Sequence, residues 1–183
     1  NINASTISEL NNIVSSGENS SISILRSDID QISIVSRGEN SSIDLFHSRI
    51  TQAPNDGVKT EGNSDITADY TIISNSNGIG LNSNRYIYLN HITAFSNSGY
   101  GVNNNAGGLS YIKNSVVALN NNSWDSQVGG SQMISYSLTT GDPYFADDQG
   151  HLETFSDAVD GGEPWESDTN MPHGLGTFRA DMG

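Results

Sequence analysis

The chain has 183 residues, no cysteine and a formal net charge of −14. It can bury a sizeable core, but it offers no disulfide framework, thiol nucleophile or Cys-based zinc site. Twenty-one acids face only seven Lys and Arg. No nucleic-acid partner is expected, and no apolar run approaches the roughly 20 residues that membrane insertion requires.

Hydrophobic residues make up 34% of the chain, beside 22 Asn, 28 Ser and 19 Gly. Such polarity would point to disorder if the apolar residues were not phased. A register of residue–x–polar–x–apolar begins at Asn3-x-Ser5-x-Ile7 and returns from Leu25, Phe46, Ile66, Tyr88, Ile112 and Ile134. Its last positions lie 22, 21, 20, 22, 24 and 22 residues apart, a period that predicts a solenoid. Each repeat is too short for a βαβ unit of about 30 residues or more. The intervening segments are rich in Gly, Asn and Ser, which disfavour helix and suit turns. The spaced leucines of a leucine-rich repeat are missing. The fold class expected is therefore all-β: a parallel β-helix of six or seven coils at about 4.8 Å spacing. The coils would occupy residues 1–141, with 142–183 an acidic capping segment of the same domain.

The connections repeat as well. Gly17-Glu18-Asn19-Ser20-Ser21-Ile22 returns identically as Gly38-Glu39-Asn40-Ser41-Ser42-Ile43, and Gly62-Asn63-Ser64-Asp65-Ile66 is a relaxed copy. Ser5, Ser27, Ser48, Asn90 and Asn114 are expected to stack at one turn, hydrogen-bonding coil to coil where sheet pairing stops. The remaining positions would face outward in two columns. One runs Ala4, Arg26, His47, Thr67, Leu89, Lys113, Ser135. The other runs Thr6, Asp28, Arg49, Asp69, His91, Ser115, Ser137.

Two stretches carry a resemblance. Tyr111-Ile112-Lys113-Asn114-Ser115-Val116-Val117-Ala118-Leu119-Asn120-Asn121 and Ser96-Asn97-Ser98-Gly99-Tyr100-Gly101-Val102 resemble the secreted right-handed parallel β-helix proteins of the pectate-lyase-like superfamily, over about residues 1–140. Asp142-Pro143-Tyr144-Phe145, Gly150-His151-Leu152 and Ser156 to Gly162 are similar to the "DPxF … GSPAIDAG" closing segment of many bacterial extracellular β-helix proteins. Phe155 and Asp157 replace that segment's usual Gly and Pro. The resemblance implies an extracellular or cell-surface protein. With Asn1 in place of an initiator Met, a mature secreted product or a fragment is expected.

The resemblance also implies the candidate chemistry. Lyases of the superfamily use Lys or Arg to abstract a proton beside a uronate carboxylate, often with calcium. Arg85, His91 and Lys113 are the catalytic candidates on that basis, although no flanking lyase motif accompanies them. The column holding Asp28, Arg49, Asp69 and His91 reads either as a carbohydrate-facing groove, with Asp69 a binding residue, or as a solvated charge ladder. Late aromatics, Trp124 and Trp165 above all, are either sugar platforms or part of the cover over the solenoid's open end. Asp142, Asp147, Asp148, Asp160 and Asp168 supply the oxygen ligands calcium needs, without EF-hand spacing; their other reading is turn formation. The partner expected is a polysaccharide or cell-surface glycan. The competing role is a non-enzymatic structural, adhesive or filament protein that self-associates through the solenoid.

Overall fold

The computed structural model describes residues 2, 3, 6, 7, 12–105, 107–122, 127–165, 181 and 182. Within them, short alternations of β-branched and polar residues become strands that pair in parallel with the same segment one coil away. The first ladder stacks Ile2–Asn3, Ser21–Leu25, Ser42–Phe46, Asp65–Ser74, Tyr86–Phe95, Leu109–Lys113 and Ser131–Ser135 in that order. The second stacks Asn12–Ser15, Ser33–Ser36, Val58–Thr60, Leu81–Ser83, Val102–Asn104 and Val128–Gly129. Paired residues in the first ladder lie 21 to 23 positions apart. The product is a parallel β-solenoid of about 5 turns. The passes at either end are incomplete: Ile2–Asn3 and Thr6–Ile7 are two-residue strands, and beyond Ser135 a single Val116–Leu138 bridge continues the pairing.

Stacking like on like builds the core. One inward column runs Ile22, Ile43, Ile66, Ile87, a second Ile24, Leu45, Ala68, Leu89, Ile112, and a third Ile29, Ile50, Ile73, Ala94, Val117. The second ladder adds Ile34, Val58, Leu81, Val102 and Val128. These side chains are almost wholly buried, and each large one contributes roughly 1.5–3 kcal/mol relative to exposure.

Between the inward columns the chain must turn, and it turns at residues in the left-handed region. Arg26, His47, Tyr70, His91, Asn114 and Tyr136 occupy one corner with φ of 47–48°. Gln31, Gln52, Asn75, Ser96 and Leu119 occupy the next, with φ of 53–59°. Such conformations cost non-glycine residues about 1–2 kcal/mol each. The expense is offset because the first corner stacks: His47 lies 4.7 Å from Tyr70, and Tyr70 4.8 Å from His91 at an interplanar angle of 6°.

These corners correct the expected register beyond Ile50. Asp69 pairs with Phe46 and Asn90, not with Arg49 or His91. The alternating inward–outward parity is interrupted at each corner residue, so Tyr70, which looks like an inward apolar position, is itself a corner. Leu89, expected outside, is inward and 3% exposed; His91, expected on an outward face, is 2% exposed. The polar ladder changes membership for the same reason. Ser27 and Ser48 do stack, with the Ser27 amide donating to Ser48 Oγ at 3.3 Å. Further down the stack the Ile92 amide donates to Ser115 Oγ and the Ser115 amide to Ser137 Oγ. Asn90 faces outward, Asn114 is a corner residue, and Ser5 lies outside the described residues.

A second, fully internal ladder runs through Ser76, Asn97 and Asn120. Asn97 Oδ1 accepts from the Ser76 amide and Asn120 Oδ1 from the Asn97 amide, at 3.0 and 3.1 Å. Asn120 Nδ2 donates to the carbonyls of Ala94 and Ala118.

The described part of the acidic tail covers a flank. Phe145, Leu152, Ala158 and Met182 pack with Val116, Ala118 and Leu138 on the outer side of the coils, and Phe145 meets Phe95 at 4.8 Å. The end strand Ser131–Ser135 remains exposed along its length, so among the described residues the tail aromatics do not close the solenoid's end.

Replacing Asn120 with Ala leaves several buried backbone groups without partners. Asn120→Ala is expected to lower the unfolding free energy by about 2–4 kcal/mol, whereas Asn77→Ala, at an exposed turn, changes it by less than about 0.5 kcal/mol. Urea denaturation of the two variants checks this, and equal effects would contradict the ladder's role.

Candidate functional site

The outward side chains of the first ladder are the ones that stacking leaves available. Three columns stand side by side there: Asp65, Tyr86, Leu109; then Asp44, Thr67, Tyr88, Tyr111, Met133; then Phe46, Asp69, Asn90, Lys113, Ser135. The second and third enclose an open groove of about 460 Å³ running along the solenoid.

One wall is aromatic. Tyr88 and Tyr111 are register partners with rings 5.1 Å apart and 3° from parallel. Their faces cover each other, so a ligand meets their outer edges and phenols. On the far side of Tyr88 the column neighbour is Thr67, too short to cover a ring. Tyr88 is 42% and Met133 58% exposed, a contiguous apolar surface of the kind that marks a contact site. Burial raises the pKa of Tyr88 above its usual 10.0, with the negative charge of Asp65 and the neighbouring Tyr111 adding to it. The phenol stays protonated at neutral pH and can donate.

The other wall is polar and internally connected. Asn90 Nδ2 donates to Asp69 Oδ1 at 3.2 Å, and Asn114 Nδ2 donates to Asn90 Oδ1 at 3.1 Å. The Glu163 amide donates to Asn114 Oδ1 at 2.7 Å, while the Glu163 carboxylate holds Lys113 Nζ at 2.6 Å. The tail thus docks onto the rim of the groove. Trp165, two residues on, is 91% exposed.

The three catalytic candidates are not brought together. Lys113 lines the groove. Arg85 precedes Tyr86 and lies five residues before Asn90, the partner of Lys113, a separation of about 16 Å along the strand direction. It sits over the Tyr86 ring at 5.5 Å and pairs with Asp65 at 3.5 Å. Gly108 lets its coil approach closely here, since a Cβ would collide with the Arg85 carbonyl. His91 is buried in the corner stack. Asp69 lines the groove. Trp124 and Asp168 lie outside the described residues.

Among the acids of the tail, Asp142 and Asp147 serve turns. Asp142 Oδ1 accepts from the Tyr144 amide and Asp147 Oδ1 from the amides of Gln149 and His151. Asp148 Oδ1 accepts from Gln149 Nε2, and the Asp160 amide donates to Asp181. Among the described residues no three His, Asp or Glu converge to hold a metal.

A second depression, of about 430 Å³, lies on the other sheet. There Arg37 Nε and Lys59 Nζ converge on Glu61 at 2.8 and 3.3 Å. Desolvation pushes the Glu61 pKa up, but the hydrogen bonds and charges of Lys59 and Arg37 together overcome it and leave the carboxyl below its usual 4.5. Exposed pairs of this kind contribute about 0–1 kcal/mol.

Tyr86, Tyr88, Tyr111, Asn90 and Met133 were not among the sequence candidates. Their signal was Tyr-x-Tyr at 86–88 followed by Tyr111 one coil later.

In the tail, the hydrogen bond from His151 to Asp147, with an Nδ1–Oδ2 distance of 2.6 Å, is the first cause holding the Asp147 carboxyl below its usual 3.8. A depressed carboxyl stabilises the fold above its unfolded pKa, and that contribution disappears as pH falls through the lower folded value. An NMR titration is expected to place the Asp147 midpoint below 3.8 in the native protein and to return it toward 3.8 in His151→Ala. An unchanged midpoint would remove the pairing. No family model, curated protein or solved structure matches the chain.

Proposed function

We propose that the protein is an extracellular β-solenoid that holds a polysaccharide or cell-surface glycan in the groove between Tyr88–Tyr111 and Asp69–Asn90–Lys113. The observation that carries this reading is the pairing of an exposed aromatic wall with a row of amide and carboxylate groups, running along about three coils. Sugar rings present apolar C–H faces and polar edges, and an open groove with one apolar and one hydrogen-bonding wall complements both. Trp165 at the rim adds a further ring. The resemblance to secreted β-helix proteins supports the extracellular setting.

Binding is favoured over cleavage. Lyase chemistry needs a base close to the sugar's acidic proton, and among the described lining residues the cation available is Lys113, engaged by Glu163. Arg85 and His91 stand elsewhere. A second reading, a structural or filament role, is favoured by the exposed strand Ser131–Ser135, which among the described residues pairs on one side only and carries Met133 and Ile134 at 58% and 38% exposure.

A panel of polysaccharides, with and without calcium, tests these readings together. The wild type is expected to be retained on at least one without generating unsaturated product. Tyr88→Ala and Tyr111→Ala should each raise Kd roughly tenfold, equivalent to about 1.4 kcal/mol, with the far-UV circular dichroism of the solenoid retained. Trp165→Ala should have a smaller effect in the same direction. Absence of retention combined with concentration-dependent rods in sedimentation would support the structural role instead. Release of unsaturated product abolished by Lys113→Ala would restore the lyase.

A further inference from the structure

We infer that the groove takes a neutral glycan and discriminates against polyuronates. The inference rests on the glycan-contact reading above and narrows it to a substrate class.

The charges on this face decide the matter. Among the described residues two cations stand there, Arg85 and Lys113, and each is already in an ion pair, with Asp65 at 3.5 Å and Glu163 at 2.6 Å. Asp44 and Asp69 add two further carboxylates in the adjoining columns. Four acids therefore surround two cations, on a chain whose net charge is −14.

A polyuronate carries one negative charge per ring. Laid along the groove, it would bring carboxylates within several ångströms of Asp69, which lines it, inside the screening length of about 8 Å at physiological salt. To gain a cation it would have to displace Glu163 from Lys113, and Glu163 is also tied through its amide to Asn114. A neutral chain meets no such opposition. Its hydroxyls can donate to the Asp69 carboxylate and exchange hydrogen bonds with the Asn90 amide, while its ring faces rest on the tyrosine wall. The same acids that repel a uronate are good acceptors for a hydroxyl.

The probes are hexagalacturonate, its fully methyl-esterified form and cellohexaose, titrated calorimetrically against the full chain at low and at physiological salt. The esterified hexamer or cellohexaose is expected to bind at least tenfold more tightly than the free acid, with the gap narrowing as salt increases. Glu163→Gln, which releases Lys113 and removes one charge, should improve binding of the free acid severalfold and narrow its gap to the neutral hexamers. Asp65→Asn provides a second charge removal that does not involve the tail. Free acid bound as tightly as the neutral hexamers, or more tightly, would overturn this inference and leave the glycan reading standing. Failure of every hexamer and every polysaccharide to bind would overturn the glycan reading itself.

Discussion

The structure depends on one constraint: a chain that turns within each coil must satisfy, from the neighbouring coil, the backbone groups that leave sheet pairing at the turn. Strands satisfy one another through parallel ladders, and corner residues such as Arg26 and His47 still donate to a carbonyl of the next coil, but the amide after each corner does not. At Ser27, Ile92 and Ser115 a hydroxyl of the next coil accepts the orphaned amide, and at Ser76 and Asn97 an internal Asn side chain does so. A buried amide left unpaired costs about 1–3 kcal/mol, so these side chains fix each coil over the one before. The abundance of Ser and Asn follows from this requirement, and so does the regular spacing of everything else.

Register at the corners sets the alignment of the outward columns. Because Tyr88 lies over Tyr111 and Asn90 over Lys113, residues 23 positions apart form continuous walls. The polar wall then continues into the tail through Asn114 and Glu163. The apolar flank formed by Phe95, Val116 and Ala118 holds that tail in place. Groove, rim and charge balance therefore come from three parts of the chain that only the solenoid brings together. The groove's ion pairs leave it rich in acceptors and poor in accessible positive charge.

Much of the fold was legible in the sequence because its period and its inward Ile, Leu and Val columns are properties of short segments. Ser27 and Ser48 could be assigned to a ladder because their coils repeat almost residue for residue. Legibility ended after Ile50. There the spacing varies between 21 and 23 residues, and a corner residue such as Tyr70 has the composition of an inward position but the backbone of a turn. An error of one to three residues then reassigned the outward columns, placing His91 on the surface and concealing the partnership of Tyr88 with Tyr111. Lys113 and Asp69 were found as groove residues. The neutralisation of Lys113 was not, because its partner lies 50 positions later in a segment with no periodicity. The tail's acids have the composition of a calcium site; that Asp142 and Asp147 accept backbone amides in turns rests on backbone geometry.

The central claim is that the aromatic–amide groove is where a glycan sits. The most direct measurement is an NMR study of the protein with cellohexaose, reading intermolecular contacts between sugar ring protons and tyrosine ring protons. The account predicts contacts to Tyr88 and Tyr111, accompanied by shifts of the Asn90 side-chain amide. Contacts confined to the Arg37–Lys59–Glu61 face or to the exposed strand Ser131–Ser135 would contradict it.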